Sequence, residues 1–198
     1  MKKTTLAAFV LFGVGACAVS KVDPLTVPLT YTPDPKNANT LGTVSCPVIS
    51  EVQVQNALTT GNVLGIRTHE SKPLKADATT NSDIAAWVQS GVQGFLMQNG
   101  FSLQPSAPKL VIRLDTLHST ETIWHRASYS AQIAITGSLR TAGGKTCGGQ
   151  RVDGDGGDYG YAGSIQNYQN SFNAALNKAT GNLVRAAGFQ ESLCDCAK

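Results

Sequence analysis

The chain has 198 residues, with 16 Lys and Arg against 13 Asp and Glu, for a net charge of +3. Lys2 and Lys3 fall in an N-terminal leader, and their removal with residues 1–16 lowers the net charge to +1, which leaves no basic field to draw nucleic acid or an anionic surface. A 41% hydrophobic content excludes a disordered composition, and the 182 residues after the leader suit one domain with its own core.

The leader begins with Lys2 and Lys3, continues as an apolar run over residues 5–16 and ends in Val14, Gly15, Ala16 and Cys17. A basic start, a short apolar stretch and small residues before the cut are the parts of a secretory signal peptide, too short for a spanning helix. Gly15 and Ala16 before the cysteine resemble the lipobox of bacterial lipoproteins, which makes Cys17 the expected lipidation site and first mature residue. The alternative is an ordinary signal peptide that contains a cysteine. Ala18, rather than Asp, follows Cys17, and by the same resemblance this points to the outer membrane, facing the periplasm.

Residues 17–43 read as the lipidated N-terminus and a tether. Pro24, Pro28, Pro33 and Pro35 break any helix there, although the alternation over 27–31 suits an edge strand, so the tether can dock. Residues 44–198 read as a single domain. Strands are expected at 48–54 and 63–68, followed by a helix over 81–99 with Ser82 as its cap, Asp83 favouring its positive end and Gly100 stopping it. Gly91 and Gly94 weaken that helix by about 1 kcal/mol each relative to Ala, so burial must hold it.

Short strand 101–103 and strand 110–117 come next. Residues 129–139 show the clearest alternation in the chain, which buries one face. A turn at 141–145 leads to a strand from 146 to 152 that can continue toward Tyr159 and Tyr161. A second helix spans 164–187, Gly188 lies past its end, and 189–198 forms a tail. The order predicts an α+β fold, a mixed and largely antiparallel sheet with two helices packed on one face.

With Cys17 lipidated, Cys46, Cys147, Cys194 and Cys196 remain, an even number in an oxidising compartment. Two disulfides are expected, in three possible connectivities, except that Cys194 and Cys196 are too close to close on each other without strain. A metal site is the competing reading, but Cys-x-Cys without a nearby His lacks zinc-finger spacing. No metal and no cofactor are expected.

Residues 48–52, the helix ending in Asn99, Gly100 and Phe101, the strand 110–114, the alternating 129–139 strand, the glycine-rich hairpin and the helix over 168–183 together resemble the YajG-like lipoproteins. The helix, Gly-Phe and strand are also similar to the small α/β domain of the TolB N-terminus and of CsgG-like envelope proteins. This resemblance implies a non-enzymatic periplasmic domain with no catalytic residues to carry over.

Three constellations bear on chemistry. Asp153, Asp155 and Asp158 among glycines read as a solvated acidic turn, with calcium as the alternative, though Asp158 stands where an EF-hand requires glycine. His69, His118 and His125 are the histidines, and Asp115 or Glu121 near His118 are candidate orienting acids, but no nucleophile motif accompanies them. Residues 118–126 read as a polar loop or hairpin tip in which Trp124, flanked by His125 and Arg126, is the candidate contact with a partner. A packed core tryptophan is the competing role. The expected function is a lipid-anchored, non-enzymatic binding or structural module that contacts another envelope protein, and the alternative is a module that binds glycan or peptidoglycan fragments.

Overall fold

In a computed structural model, the described residues are 21–196. The leader and Cys17 lie outside them. No helix among the described residues is long and apolar enough to cross a membrane.

The centre of the molecule is a meander of three long antiparallel strands, β7 (Lys109–Ile123), β8 (Ala127–Arg140) and β9 (Thr146–Gly160). The free edge of β7 is shared. Its first half pairs in parallel with β3 (Val52–Asn56), and its second half pairs in parallel with β4 (Val63–His69). Strand β4 turns back into β5 (Lys72–Thr79), and β1 (Leu25–Thr26) adds a parallel edge to β5. A separate pair, β2 (Val48–Ile49) with β6 (Ser102–Leu103), completes the strands. Three helices, α1 (Ile84–Gln98), α2 (Ile165–Arg185) and α3 (Ala187–Cys196), complete the α+β fold.

The alternation of β8 follows directly from this layering. Ala127, Tyr129, Ala131, Ile133, Ile135 and Leu139 are buried beneath the helices, whereas Ser128, Ser130 and Gln132 face outward. On β7, a register shift between Leu114 and Thr116 resets the alternation. Leu110, Ile112 and Leu114 are buried before it, and Leu117, Ser119, Glu121 and Ile123 are buried after it. A bulge of this kind moves every later side chain to the other parity.

Several expectations need correction. The strand expected at 48–54 is split, because Ser50 N–H donates to the Pro108 carbonyl and sends β2 and β3 into different sheets. The helix α1 is capped by Asp83, whose Oδ1 accepts from Ala86 N at 3.0 Å, while Ser82 Oγ accepts from Leu29 N at 2.9 Å and ties down the N-terminal segment. The C-terminal tail is the helix α3, and the segment 118–123 is strand rather than loop.

The acidic stretch 153–158 is not a turn but the middle of β9. Its glycines have a packing role. A Cβ on Gly154 would lie 2.1 Å from the Ala175 carbonyl oxygen, and one on Gly156 would lie 2.2 Å from that of Ser171, so α2 rests with its backbone directly on bare strand. In the same way, a Cβ on Gly91 of α1 would meet Leu176 of α2 at 2.3 Å. The residues that weaken α1 and β9 intrinsically are therefore the ones that let the layers approach.

The N-terminal segment is docked. Val27 and Leu29 are buried, Gln169 Nε2 donates to the Pro28 carbonyl at 2.9 Å, and Asn173 Nδ2 donates to that of Thr30 at 3.1 Å. The Tyr31 hydroxyl donates to Asn177 Oδ1 at 3.0 Å.

Candidate functional site

Trp124, His125 and Arg126 form the tight turn between β7 and β8, closed by Trp124 N–H on the Arg126 carbonyl at 2.9 Å. Trp124 is 56% exposed, and its ring lies 4.2 Å from that of His125 at a tilt of 38°. The next strand ends beside this turn, because Ala127 pairs with Gly160 and Ser128 with Tyr159. Tyr159 and Tyr161 are 63% and 84% exposed, and Ile165 opens α2 just beyond them. Of the eight large apolar side chains exposed among the described residues, these four share one end of the sheet. Trp124 is thus a surface residue, and the core tryptophan is Trp87, whose Nε1 donates to Asn173 Oδ1 at 3.1 Å.

Directly beneath that end lies a polar cluster that sequence reasoning did not find. Glu121 is fully buried. Its Oε2 accepts from Arg67 Nε at 2.5 Å and from the Tyr168 hydroxyl at 3.0 Å, and its Oε1 accepts from Gly163 N at 2.6 Å. The Tyr129 hydroxyl accepts from Ser164 N at 3.0 Å and lies within donating reach of both Glu121 Oε1, at 3.1 Å, and the Tyr161 carbonyl. Arg67 Nη1 donates to the Asp23 carbonyl. The cluster joins β4, β7, β8, the start of α2 and the incoming N-terminal chain, and so fixes the backbone that carries the exposed aromatics.

Burial works to lower the pKa of Arg67, but the hydrogen bond and charge of Glu121 outweigh it and raise the value overall. Burial and the Glu121 carboxylate push the Tyr129 hydroxyl up to about 12 against the opposing Ser164 hydrogen bond. Burial and the same carboxylate also raise Tyr168.

The arrangement does not assemble the histidine and acid pair considered from sequence. His118 lies on the open face of β7, opposite Gln132, whereas Glu121 points under the helices. Asp115 accepts from Arg113 Nε and from Thr136 Oγ1, each at 2.6 Å. His125 packs at a tilt against Trp124, and His69 Nδ1 accepts from Ser71 N at 3.2 Å. In the acidic stretch, Asp155 pairs with Lys178 at 2.6 Å and Asp158 accepts from Asn170 at 2.8 Å. These two carboxylates are therefore held by α2 side chains rather than gathered around a common point.

The four cysteines meet at the opposite end of the molecule. Cys46 bonds Cys194 and Cys147 bonds Cys196, with Cα separations of 5.3 and 5.7 Å. A groove of about 810 Å³ runs between the docked N-terminal segment and α2, lined by Asp34, Lys36, Asn170, Asn177, Lys178 and Arg185 among others.

No family model matches the chain, and no curated protein matches it. Among solved structures, it is similar to protein XCC0632 from Xanthomonas campestris, of family DUF330, with a TM-score of 0.50 and 12% identity over 88% of this chain and 99% of that one. A minor lipoprotein from Acinetobacter baumannii aligns at a TM-score of 0.35 and 11% identity, covering 77% of this chain and 96% of that one. An uncharacterised protein aligns at 0.31 and 12%, over 89% and 97%. The last two are too loose to carry an argument. The likeness to the Xanthomonas protein shows a shared α+β architecture and nothing about activity.

Proposed function

We propose that this chain is an envelope lipoprotein, acylated at Cys17 and held at the periplasmic face of the outer membrane, whose body is a non-enzymatic binding module of the YajG-like kind. The anchor reading rests on the basic, apolar and small-residue pattern of residues 1–17 and on Ala18. The observation that carries the binding reading is Trp124, more than half exposed on a tip whose backbone is fixed by the Arg67 and Glu121 cluster beneath it. A large aromatic displayed on rigid backing loses little entropy on contact, and interface tryptophans commonly contribute about 2 kcal/mol or more.

A photocrosslinking residue introduced at His125 in cells tests this reading. It is expected to trap an envelope component, with the yield falling when Trp124→Ala is added, while the same residue at Lys145, on the far turn, traps none. Equal yields at both positions overturn the reading. Intact mass of the purified protein reports the anchor, and an unmodified Cys17 removes it.

The groove favours a second reading, a glycan or peptidoglycan-fragment binder. Gln166, Asn170 and Asn177 line its α2 wall, and amides donate and accept as sugar hydroxyls require. Muropeptides that co-purify with the protein and are lost in Asn170→Ala would support it.

A further inference from the structure

The aromatic end of the sheet and the point where the chain leaves toward its N-terminus are the same end of the molecule. Strand β1 runs parallel to β5, so tracing back from Leu25 leads toward the end where β4 stops at His69 and β7 stops at Ile123. Asp23 confirms the level, because its carbonyl is held by Arg67, two residues before the end of β4. Asp23 lies six positions beyond Cys17, and a fully extended chain of that length reaches about 20 Å. The β1-β5-β4-β7 order places three strand spacings, about 14 Å, between β1 and the strand that carries Trp124.

From these positions we infer that the exposed aromatic end, Trp124 with Tyr159, Tyr161 and Ile165, rests in the headgroup layer of the bilayer into which the Cys17 acyl chains insert. The inference rests on the anchored-lipoprotein reading and names the occupant of its binding surface. Trp and Tyr favour this layer because the ring leaves water while its polar edge stays hydrated. Arg126 is exposed at the tip and can reach outward along it. The contact is set by shape and aromatic character rather than charge, in keeping with a nearly neutral body. Two attachments on one end, tether and aromatic tip, would hold the domain upright, with the disulfides at its distal end.

Tryptophan emission separates the possibilities, since Trp124 and Trp87 are the two tryptophans and Trp87 is buried. The mature acylated protein is reconstituted into phosphatidylethanolamine and phosphatidylglycerol vesicles, with and without lipids brominated near the headgroup, and isolated by flotation. Brominated lipid is expected to quench the wild-type emission and to spare that of Trp124→Phe, while aqueous iodide quenches Trp124 poorly. A protein that floats but whose Trp124 is quenched by iodide and not by bromine overturns the membrane contact and leaves the anchor intact. A protein that fails to float overturns the anchor and the contact together. Protection of Trp124 from iodide that appears only when envelope proteins are added also overturns the inference, in favour of a protein occupant.

Discussion

Arg67 Nε lies 2.5 Å from Glu121 Oε2, and both side chains are buried between the sheet and α2. The pair is unequal in how each partner tolerates loss of the other. A buried carboxyl can take up a proton and become neutral, and Glu121 still has Tyr168 and Gly163 as donors. The Arg67 guanidinium cannot shed its charge in the accessible pH range. Glu121→Ala is therefore expected to cost about 3–5 kcal/mol, as for other broken buried pairs, and Arg67→Met distinctly less. Urea unfolding midpoints of the two variants check the order. Equal losses would mean that packing, not charge, dominates the site.

Freeing Arg67 has a second consequence, because its other hydrogen bond holds Asp23. Arg67→Met should expose the chain near Asp23 to proteolysis in the folded protein at protease levels that leave the wild type intact. A cleavage pattern unchanged from wild type would show that Val27 and the β1 pairing alone secure the segment.

The raised pKa of Tyr129 gives a pH dependence of definite sign. Below pH 10, the hydroxyl is protonated in both folded and unfolded chains, so its contribution is fully present. Between 10 and about 12, the unfolded chain loses a proton that the folded chain keeps, and stability falls as pH rises. Tyr168, raised by the same causes, adds to the fall. Urea midpoints at pH 9 and pH 11 should decrease, and the decrease should be smaller in a Tyr129→Phe variant.

Gly154→Ala and Gly156→Ala each drive a methyl group into the α2 backbone and are expected to destabilise by about 1–3 kcal/mol or more. Gly149→Ala is the control, since its Cβ would meet nothing closer than 3.5 Å. Thermal melts of the three variants test the cradle, and a Gly156→Ala protein as stable as the control would show that α2 can lift away without cost.

The disulfides should each stabilise by about 2–4 kcal/mol, with the Cys46 to Cys194 bridge, which spans 148 residues, contributing more than the Cys147 to Cys196 bridge, which spans 49. Paired serine replacements compared by melting temperature measure both.

How much of this was legible in the sequence varied with the physical signal. Strand β8 was plain because a half-buried strand writes its two faces as period two. Strand β7 was legible only to Leu117, because the bulge after Leu114 breaks the alternation that identifies a strand. Strand β5 was missed altogether, since Lys72, Pro73, Lys75 and Asp77 give it neither β-branched content nor a clear face. The start of β9 was legible, but its acidic stretch 153–158 read as a turn because Asp and Gly are poor strand formers, and their placement under α2 is a tertiary fact. The helix α3 was hidden behind Gly188, which normally marks an end. At the site, the exposure of Trp124 followed from its place between two strands, whereas Glu121, read as an orienting acid for His118, showed its buried role only through partners up to 54 residues away.

The connectivity of the cysteines also fixes an order of events in oxidative folding. Each bridge takes one partner from α3, Cys194 or Cys196, which follows every strand in the chain. Neither native bridge can close before α3 has been made and has reached the sheet. Until then Cys46 and Cys147 are the cysteines of the part of the domain that comes first, and the bridge they could form with each other is a wrong one. Reaching the native pairing therefore depends on the sheet assembling first and holding these two apart until α3 arrives, or on an isomerase that undoes the mistake.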